Sequence, residues 1–457
     1  MQFVERSEII YFMNKLDAIK MSIDEQVDLI LWQFKEIERL KREIIDLTNK
    51  NNYTKKTSNN SSIPPSKGYK SNVSDKLKDI AKDLKHSNGG RELSKTPDDT
   101  FDFKASKCSE CDNTELKTKL ITSYDKIFLP EVKTKTVRVN VYECVCTKCN
   151  LIVKTEIPYN LSSRELLSDN LKAMIMYLHY ENYVSFSRIE KYFKDIYDIE
   201  ISQGLIDGVI KSSESVLLEK SNEIKLSIQN SDLVCSDETS ARVKGKTYWQ
   251  WVFQNRDFSY HVISNTRGAV VKNELFGDKH PSKYVSDAFS SQLVGIKEWQ
   301  VCLAHQIRDC NYIIDLDNNE FGLKMKELFK DSIKEKDSEL SLKKEKKVDF
   351  LSRLDTILEI KTLSNSEEKL RKRFAKFRNN LFMFLDYDDV PPTNNSSEQA
   401  LRPSVIFRKV TNGFRSQKGK DIFSYFRTVV DTAKKQKINI FNAIVDIFSH
   451  KKNTVVI

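Results

Sequence analysis

Three acidic residues in this chain sit in contexts suited to phosphoryl transfer: Asp237 in L-V-C-S-D-E-T-S, Asp287 in K-Y-V-S-D-A-F and Glu398 in N-N-S-S-E-Q-A-L-R-P. The first two each follow a short apolar or β-branched run, as at the end of a strand, and the third opens a segment with helical character. Carboxylates converging from separate elements can hold two Mg²⁺ or Mn²⁺ ions about 3.5–4 Å apart, which activate an attacking oxygen and stabilise a leaving one. The plainer reading is that each acid caps a strand or helix end by accepting backbone N–H groups.

Cysteines form the second constellation. Five of the eight fall between residues 108 and 149, and Cys108-Ser-Glu-Cys111 and Cys146-Thr-Lys-Cys149 are paired C-x-x-C knuckles. Four soft ligands in two knuckles suit one tetrahedral Zn²⁺, and the β-branched residues between them (Thr134, Thr136, Val137, Val139, Val141) predict a small β-structure, together a zinc ribbon. Cys144 could replace Cys146 as a ligand, but only Cys146 repeats the spacing of Cys108 and Cys111. Cysteine clustering in a long chain argues against a disulfide framework.

The elements that must position the acids follow from pattern. Strands are predicted at Asp232–Ser236, Thr247–Gln254 and Phe258–Ser264, then a helix, then a strand ending at Asp287, with a short strand or helix start at Val301–Leu303 leading into Ala304–Cys310. Residues 321–384 read as a charged helical insertion ahead of Glu398. Upstream, Leu166–His179, Phe186–Phe193 and Gln203–Leu218 predict three helices, with Ser202 as an N-cap. The break at 197–202 suits a helix-turn-helix or a plain bundle equally. Trp249 and Trp251 in a predicted strand are read as packing residues, one expected to face the core and the other the opposite face. Gly245-Lys246-Thr247 lacks the first glycine of a phosphate loop, which disfavours ATP use.

Apolar residues Ile23, Val27, Ile30, Phe34, Ile37, Ile44 and Leu47 recur at spacings of three and four within residues 8–48. They predict either a coiled coil of about three heptads that self-associates or an amphipathic helix packed on the chain's own body. Residues 49–100, rich in Asn, Ser and Lys, read as a tether with one short helix near 74–85. The chain carries 75 Lys+Arg against 65 Asp+Glu, and after Glu398 the balance is 12 against 3, so the C-terminal part suits a polyanion. Arg402, Arg408, Lys409 and Arg415 lie on or just after the Glu398 helix and are candidate phosphate contacts. No apolar run approaches the roughly 20 residues that cross a bilayer, and no signal peptide is evident, which predicts a cytoplasmic protein without a membrane partner.

The strings S-D-E-T-S-A-R-V-K-G-K-T-Y-W-Q-W-V-F, V-S-D-A-F, V-C-L-A-H-Q-I-R-D and N-N-S-S-E-Q-A-L-R-P-S-V-I-F-R-K-V-T-N-G-F-R-S-Q-K-G stand in the order seen in transposases of the insertion-sequence 66 family, which this chain resembles from about residue 64 to its C-terminus. The resemblance implies an α/β fold with a ribonuclease H-like core and an Asp-Asp-Glu triad, which falls on Asp237, Asp287 and Glu398. It also implies Mg²⁺ or Mn²⁺ at that triad, a zinc-binding segment, and double-stranded DNA at element ends and target as partner. A homo-oligomer, helper proteins of the same element and a bacterial, nucleoid-associated location belong to the same expectation. One departure is Thr393, where the family usually has an Asp before Asn394 and Asn395. The third string marks Cys302, His305 and Arg308 as characteristic, and packing with a phosphate contact from Arg308 is favoured over metal binding there. The expected organisation is a coiled coil (1–48), tether (49–100), zinc ribbon (101–158), helical DNA-binding-like region (159–230), catalytic core with its insertion (231–415) and basic C-terminal helices (416–457). The expected function is metal-dependent cleavage and strand transfer at the ends of an insertion sequence. A transposase-derived DNA-binding protein without catalysis and a structure-specific ribonuclease H-like nuclease are the alternatives.

Overall fold

The computed structural model describes residues 22–51, 93–129, 134–154, 156–158, 161, 166–317 and 319–449. The chain divides into two compact units, one made of Met1–Gly68, Val139–Lys191 and Glu200–Ile457, the other of Tyr69–Arg138 and Tyr192–Ile199.

The first described helix, α1, spans Ile23–Asn51. Ser22 and Glu25 start it with a reciprocal cap: the Glu25 N–H donates to Ser22 Oγ at 3.3 Å, and the Ser22 N–H donates back to Glu25 Oε2 at 2.9 Å. Its apolar residues Ile23, Val27, Ile30, Phe34, Ile37, Ile44 and Leu47 are all exposed. Residues 8–21 of the expected coiled coil, and the short helix expected near 74–85, lie outside the described residues.

A two-stranded hairpin follows, β1 (Glu143–Val145) and β2 (Ile152–Lys154), with Cys144 opposite Val153. The β-structure predicted over Thr134–Val141 is not found: residues 134–142 form no strand, and β1 begins only at Glu143. β-branched residues favour extended backbone, but a strand also needs a hydrogen-bonded neighbour.

Helices α2 (Asp169–Met176), continued by a π-turn at Tyr177–Glu181, α3 (Phe186–Tyr197) and α4 (Gln203–Ser212) come next. Ser202 caps α4, its Oγ accepting from the Leu205 N–H at 3.2 Å. The helix predicted over 203–218 is in fact two. Ser212 and Ser213 donate their hydroxyls to the carbonyls of Val209 and Ile210 at 2.8 and 2.7 Å, and a second helix, α5, runs from Glu214 to Gln229. Serine bonding back to its own helix competes with the next turn and interrupts it.

The centre of the larger unit is a five-stranded mixed sheet. Its strands are β3 (Leu233–Val243), β4 (Lys246–Gln254), β5 (Ser259–Ser264), β6 (Lys283–Ser286) and β7 (Glu298–Val301), in the order β5-β4-β3-β6-β7. β3 to β5 form an antiparallel meander, whereas β6 and β7 run parallel to β3, with α6 (Val270–Phe276) and α7 (Ser290–Leu293) in the crossovers. Alternation along β3 sends Val234 and Cys235 to opposite faces. Val234 joins Trp251, Phe253, Tyr284 and residues of α6, while Cys235 joins Val285, Val301 and the helices beyond the sheet. Trp249 and Trp251, two residues apart on β4, lie on the same face rather than opposite ones, both packing on the Val234 cluster with Trp251 buried and Trp249 partly exposed.

Those further helices are α8 (Leu303–Asp317), α9 (Glu320–Lys334), α10 (Leu340–Leu358) and α11 (Asn365–Lys376), followed by 3₁₀ turns whose Phe382, Met383, Phe384 and Leu385 close the apolar core. The chain then returns to the sheet as α12 (Asn395–Thr411), α13 (Gln417–Lys435) and α14 (Ile440–Phe448). Helix α13 covers the edge strand β5. Thr428 and Thr432 accept from the His261 and Ser259 N–H groups at 2.9 and 3.1 Å, so the edge does not present bare donors. Among the described residues no helix is long and apolar enough to cross a membrane.

Candidate active site

Asp237 lies within β3 rather than at its end, because β3 continues to Val243 in a long hairpin with β4. The predicted strand stopped at Ser236, where apolar character gives way to polar. The cross-strand ladder carries the strand on through those residues. Asp287 follows β6, and Glu398 lies in the first turn of α12. Three elements distant in sequence therefore meet at the centre of the sheet.

The meeting is read in the electrostatics. Burial pushes the Asp237 carboxyl well above the usual carboxylate range, and the nearby charges of Asp287, Glu238 and Glu398 push it the same way. The Glu238 N–H, donating to Asp237 Oδ1 at 2.8 Å, opposes this. Among the described residues neither Asp237 nor Asp287 forms an ion pair. The two flanking acids are paired. Glu238 is bound by Arg267, 2.6 Å away, and by Gln292, and Glu398 accepts from Arg308 Nη2 at 3.0 and 3.2 Å.

Asp287 is held by its backbone. Ala288 has φ 70°, a left-handed conformation that costs an alanine roughly 1–2 kcal/mol. Two hydrogen bonds support it, Ala288 N–H to Ser286 Oγ at 3.3 Å and Phe289 N–H to Asp287 Oδ1 at 3.0 Å. Arg267, already on Glu238, lies over the rings of Phe289 and Trp249 at 3.9 and 4.6 Å, tying the residues after Asp287 to β4.

Glu398 is placed by Asn394 and Cys302. The fully buried Asn394 donates from Nδ2 to the Ser236 carbonyl at 2.6 Å, accepts from Ser397 Oγ at 2.7 Å, and sends its backbone N–H to Cys302 Sγ at 3.1 Å. Gln254 of β4 donates to Ser397 Oγ at 2.9 Å. The start of α12 is thereby fastened to the residue before Asp237. Cys302, with its thiol raised to about 11 by burial, is a packing and hydrogen-bonding residue. His305 and Arg308, in the first two turns of α8 just after it, approach Glu398, His305 Nδ1 at 3.6 Å from Oε1. Burial and Arg308 lower the His305 pKa, and its buried Nδ1 has no hydrogen-bond partner.

The basic candidates part company. Arg402, Lys409 and Arg415 are exposed. Arg408 instead donates to the carbonyl and hydroxyl of Ser240, riveting α12 to β3. Thr393, half-buried, precedes the buried Asn394. The sequence alone missed Glu238, Arg267, Asn394 and Gln254. Only the doubled acid at 237–238 and the paired Asn could have drawn notice, since their partners lie 29 to 158 residues away.

The cysteine knuckles share one local geometry. The Cys108 N–H donates to the Asn113 carbonyl at 2.9 Å and the Asp112 N–H to the Cys108 carbonyl at 3.1 Å; Cys146 and Leu151, then Asn150 and Cys146, repeat this at 2.9 and 2.8 Å. Asp112 and Asn150 both take positive φ, 56° and 57°. Backbone N–H groups, of Glu110 and Cys111 at Cys108 and of Cys149 and Lys148 at Cys146, lower both thiol pKa values. Cys144 sits within β1, ahead of the knuckle. Among the described residues no group of three or more His, Cys, Asp or Glu side chains is arranged to hold a metal ion.

A family model, described as the Transposase IS66 family, matches residues 164–422. The chain belongs to the IS66 transposase family. The match spans β3 to α12 and so contains all three acids and the elements that carry them. Membership makes transposase function, action on DNA, polynucleotidyl-transferase-type chemistry and general dependence on divalent metal the frame for this site. A search of the curated proteins finds no match.

Proposed function

We propose that this IS66-family protein cleaves phosphodiester bonds at the ends of an insertion sequence and joins them to target DNA, with Asp237, Asp287 and Glu398 as the catalytic carboxylates. The observation that carries the reading is Asp237: buried, close to three other acids and without a cation, it is in the unfavourable state that a hard divalent ion relieves. An all-oxygen donor set fits Mg²⁺ or Mn²⁺ better than softer metals. The sheet supports a ribonuclease H-like core, with a three-stranded meander continued by two parallel strands, and acids from the first strand, the fourth strand and a late helix.

Asp237, Asp287 and Glu398 would hold two divalent ions, which when bound activate the attacking water or 3′-hydroxyl and stabilise the leaving oxygen. Asp237 and Asp287 orient the reacting phosphate through rigid backbone, one fixed in the β3 ladder and the other in the strained turn at Ala288. Arg308 neutralises Glu398 before DNA arrives and is placed to contact phosphate once Glu398 is engaged. Arg402, Lys409 and Arg415 supply further phosphate contacts, and Arg408 positions α12. The helical insertion from 321 to 384, the helical region from 159 to 230 and the basic helices after 416 belong to the proposed organisation, as does self-association through the exposed stripe of α1.

We further propose that Cys108, Cys111, Cys146 and Cys149 bind one structural Zn²⁺. The support is local: both knuckles present backbone N–H groups to a cysteine sulfur, and a lowered thiol pKa favours the thiolate that zinc requires. About one zinc per chain is expected on elemental analysis, with a clear loss in Cys111→Ser. A full complement in that variant excludes the assignment.

The deciding experiment compares Asp237→Ala, Asp287→Ala and Glu398→Ala in Mg²⁺-dependent cleavage and in binding of the same element-end DNA. Cleavage should fall at least about 10³-fold in each while binding stays near wild type, because the carboxylates act on the transition state and basic contacts supply affinity. Wild-type cleavage by the Glu398 variant would remove it from the triad. A wild-type protein that binds element ends but never cuts them would favour the non-catalytic DNA-binding reading.

A further inference from the structure

Between Glu238 and Asp257, and again between Glu398 and Asp421, the chain contains no acidic residue, yet the two segments carry ten Lys and Arg. Separated by more than 140 residues, they are joined in the fold. The first turns back at the tip of the β3–β4 hairpin, Val243-Lys244-Gly245-Lys246; the second contains the turn Asn412-Gly413-Phe414-Arg415 after α12. Val243 and Phe414 form a parallel β-bridge, with Lys244 N–H donating to the Phe414 carbonyl and Phe414 N–H to the Arg242 carbonyl, both at 2.8 Å.

The junction is rigid for identifiable reasons. Gly413 has φ 104°, and a Cβ there would meet the Arg242 carbonyl oxygen at 2.5 Å, so only glycine permits the approach. Phe414 is anchored against Phe407 and Phe423, ring centroids 5.3 and 5.2 Å away. Gln417 Nε2 donates to Tyr248 Oη at 2.8 Å. This framework leaves Arg242, Lys244, Lys246 and Arg415 exposed around the hairpin tip and the adjoining turn. Arg242 Nη1 donates to the Gly245 carbonyl at 3.3 Å, and among the described residues none of the four has an acidic partner. A solvated face would typically intersperse both signs of charge. Here like charges are gathered and held by a fixed backbone, which costs free energy unless an anion lies across them.

We propose that the hairpin tip and the Asn412–Arg415 turn form one binding surface for the phosphates of double-stranded DNA, remote from the reacting bond. The inference rests on the transposase reading and extends it. Lys244 lies seven residues beyond Asp237, in the turn just past the end of β3, or up to about 23 Å at roughly 3.3 Å per residue. A duplex with its reacting phosphate over Asp237, following the strand, would reach the tip about seven base pairs away. Anchoring there fixes the register of the DNA without reading its bases.

The test uses full-length protein, no added divalent metal, and a labelled duplex of about 30 base pairs of arbitrary sequence, its affinity followed against salt by fluorescence anisotropy. The variant is Lys244→Asn/Lys246→Gln/Arg415→Gln; asparagine is chosen because position 244 has φ 49°. Loss of three phosphate contacts should flatten the slope of log K against log salt by about 2.7 and lower affinity on the order of 100-fold near 0.1 M salt. An unchanged slope in the triple variant, with wild type binding steeply, overturns the surface while leaving the transposase reading in place. A wild-type protein that binds no duplex at all overturns both.

Discussion

Two buried clusters of charge in the larger unit differ in one respect: whether the acids have cations. Around β5 and α13, Arg427 is fully buried and bound to both Glu181 and Asp431, while His261 Nε2 lies 3.1 Å from Asp431 Oδ2. Burial alone would push the Asp431 carboxyl up, yet Arg427 and His261 beside it hold it well below the usual range. At the candidate active site Asp237 is buried without an ion pair of its own, and Asp287, Glu238 and Glu398 add to burial in pushing its carboxyl up. The first cluster is complete within the protein and stabilises the packing of α13. On the proposed reading, the second is completed by a divalent cation from outside.

The largest expected effect breaks this comparison at its structural end. Arg427→Met removes the buried cation shared by Glu181 and Asp431, leaving them only Lys434 and His261, and should cost about 3 kcal/mol in urea unfolding. Asp237→Asn removes a repelled charge and should leave stability unchanged or raise it by about 1 kcal/mol while abolishing cleavage. If Asp237→Asn destabilised the protein as much as Arg427→Met, the distinction between the clusters would fail.

A smaller effect is expected at Arg308, which pairs with the catalytic candidate Glu398. If the pair competes with divalent metal, Arg308→Ala should tighten Mn²⁺ binding by about 5- to 10-fold in titrations without DNA, roughly 1 kcal/mol. It should also weaken cleavage through loss of its phosphate contact. Weaker Mn²⁺ binding in that variant would instead make Arg308 a support for the metal-bound position of Glu398.

The smallest effect lies in α11, where an acid is paired near the surface. Glu368 is held at about 2, chiefly by Arg371 and further by Thr362 and Lys372, against an ordinary 4.5. Because the folded-state pKa is depressed, its stabilisation is present above about pH 4.5 and disappears as pH falls towards 2. Glu368→Gln should therefore be less stable by about 1 kcal/mol at neutral pH, the figure allowing for solvent screening, and indistinguishable from wild type near pH 2. A difference that persisted unchanged to pH 2 would assign the loss to packing.

By itself the sequence determined family membership, the mixed α/β class and most element positions. Strands predicted at 247–254 and 258–264 match β4 and β5 to within a residue, because alternation of apolar residues is a local signal. The split after Ser212 and the continuation of β3 past Asp237 escaped it, since each depends on a hydrogen bond that residue pattern does not rank. Local context singled out Asp237, Asp287 and Glu398, but nothing in the strings said which of them would lack a cation. Only the tertiary structure gave Glu398 to Arg308, Glu238 to Arg267 and Arg408 to Ser240, and fastened Asn394 beneath the strand of Asp237. Burial and counter-charge are properties of the folded surroundings, set by residues that the chain brings together only after closing long loops.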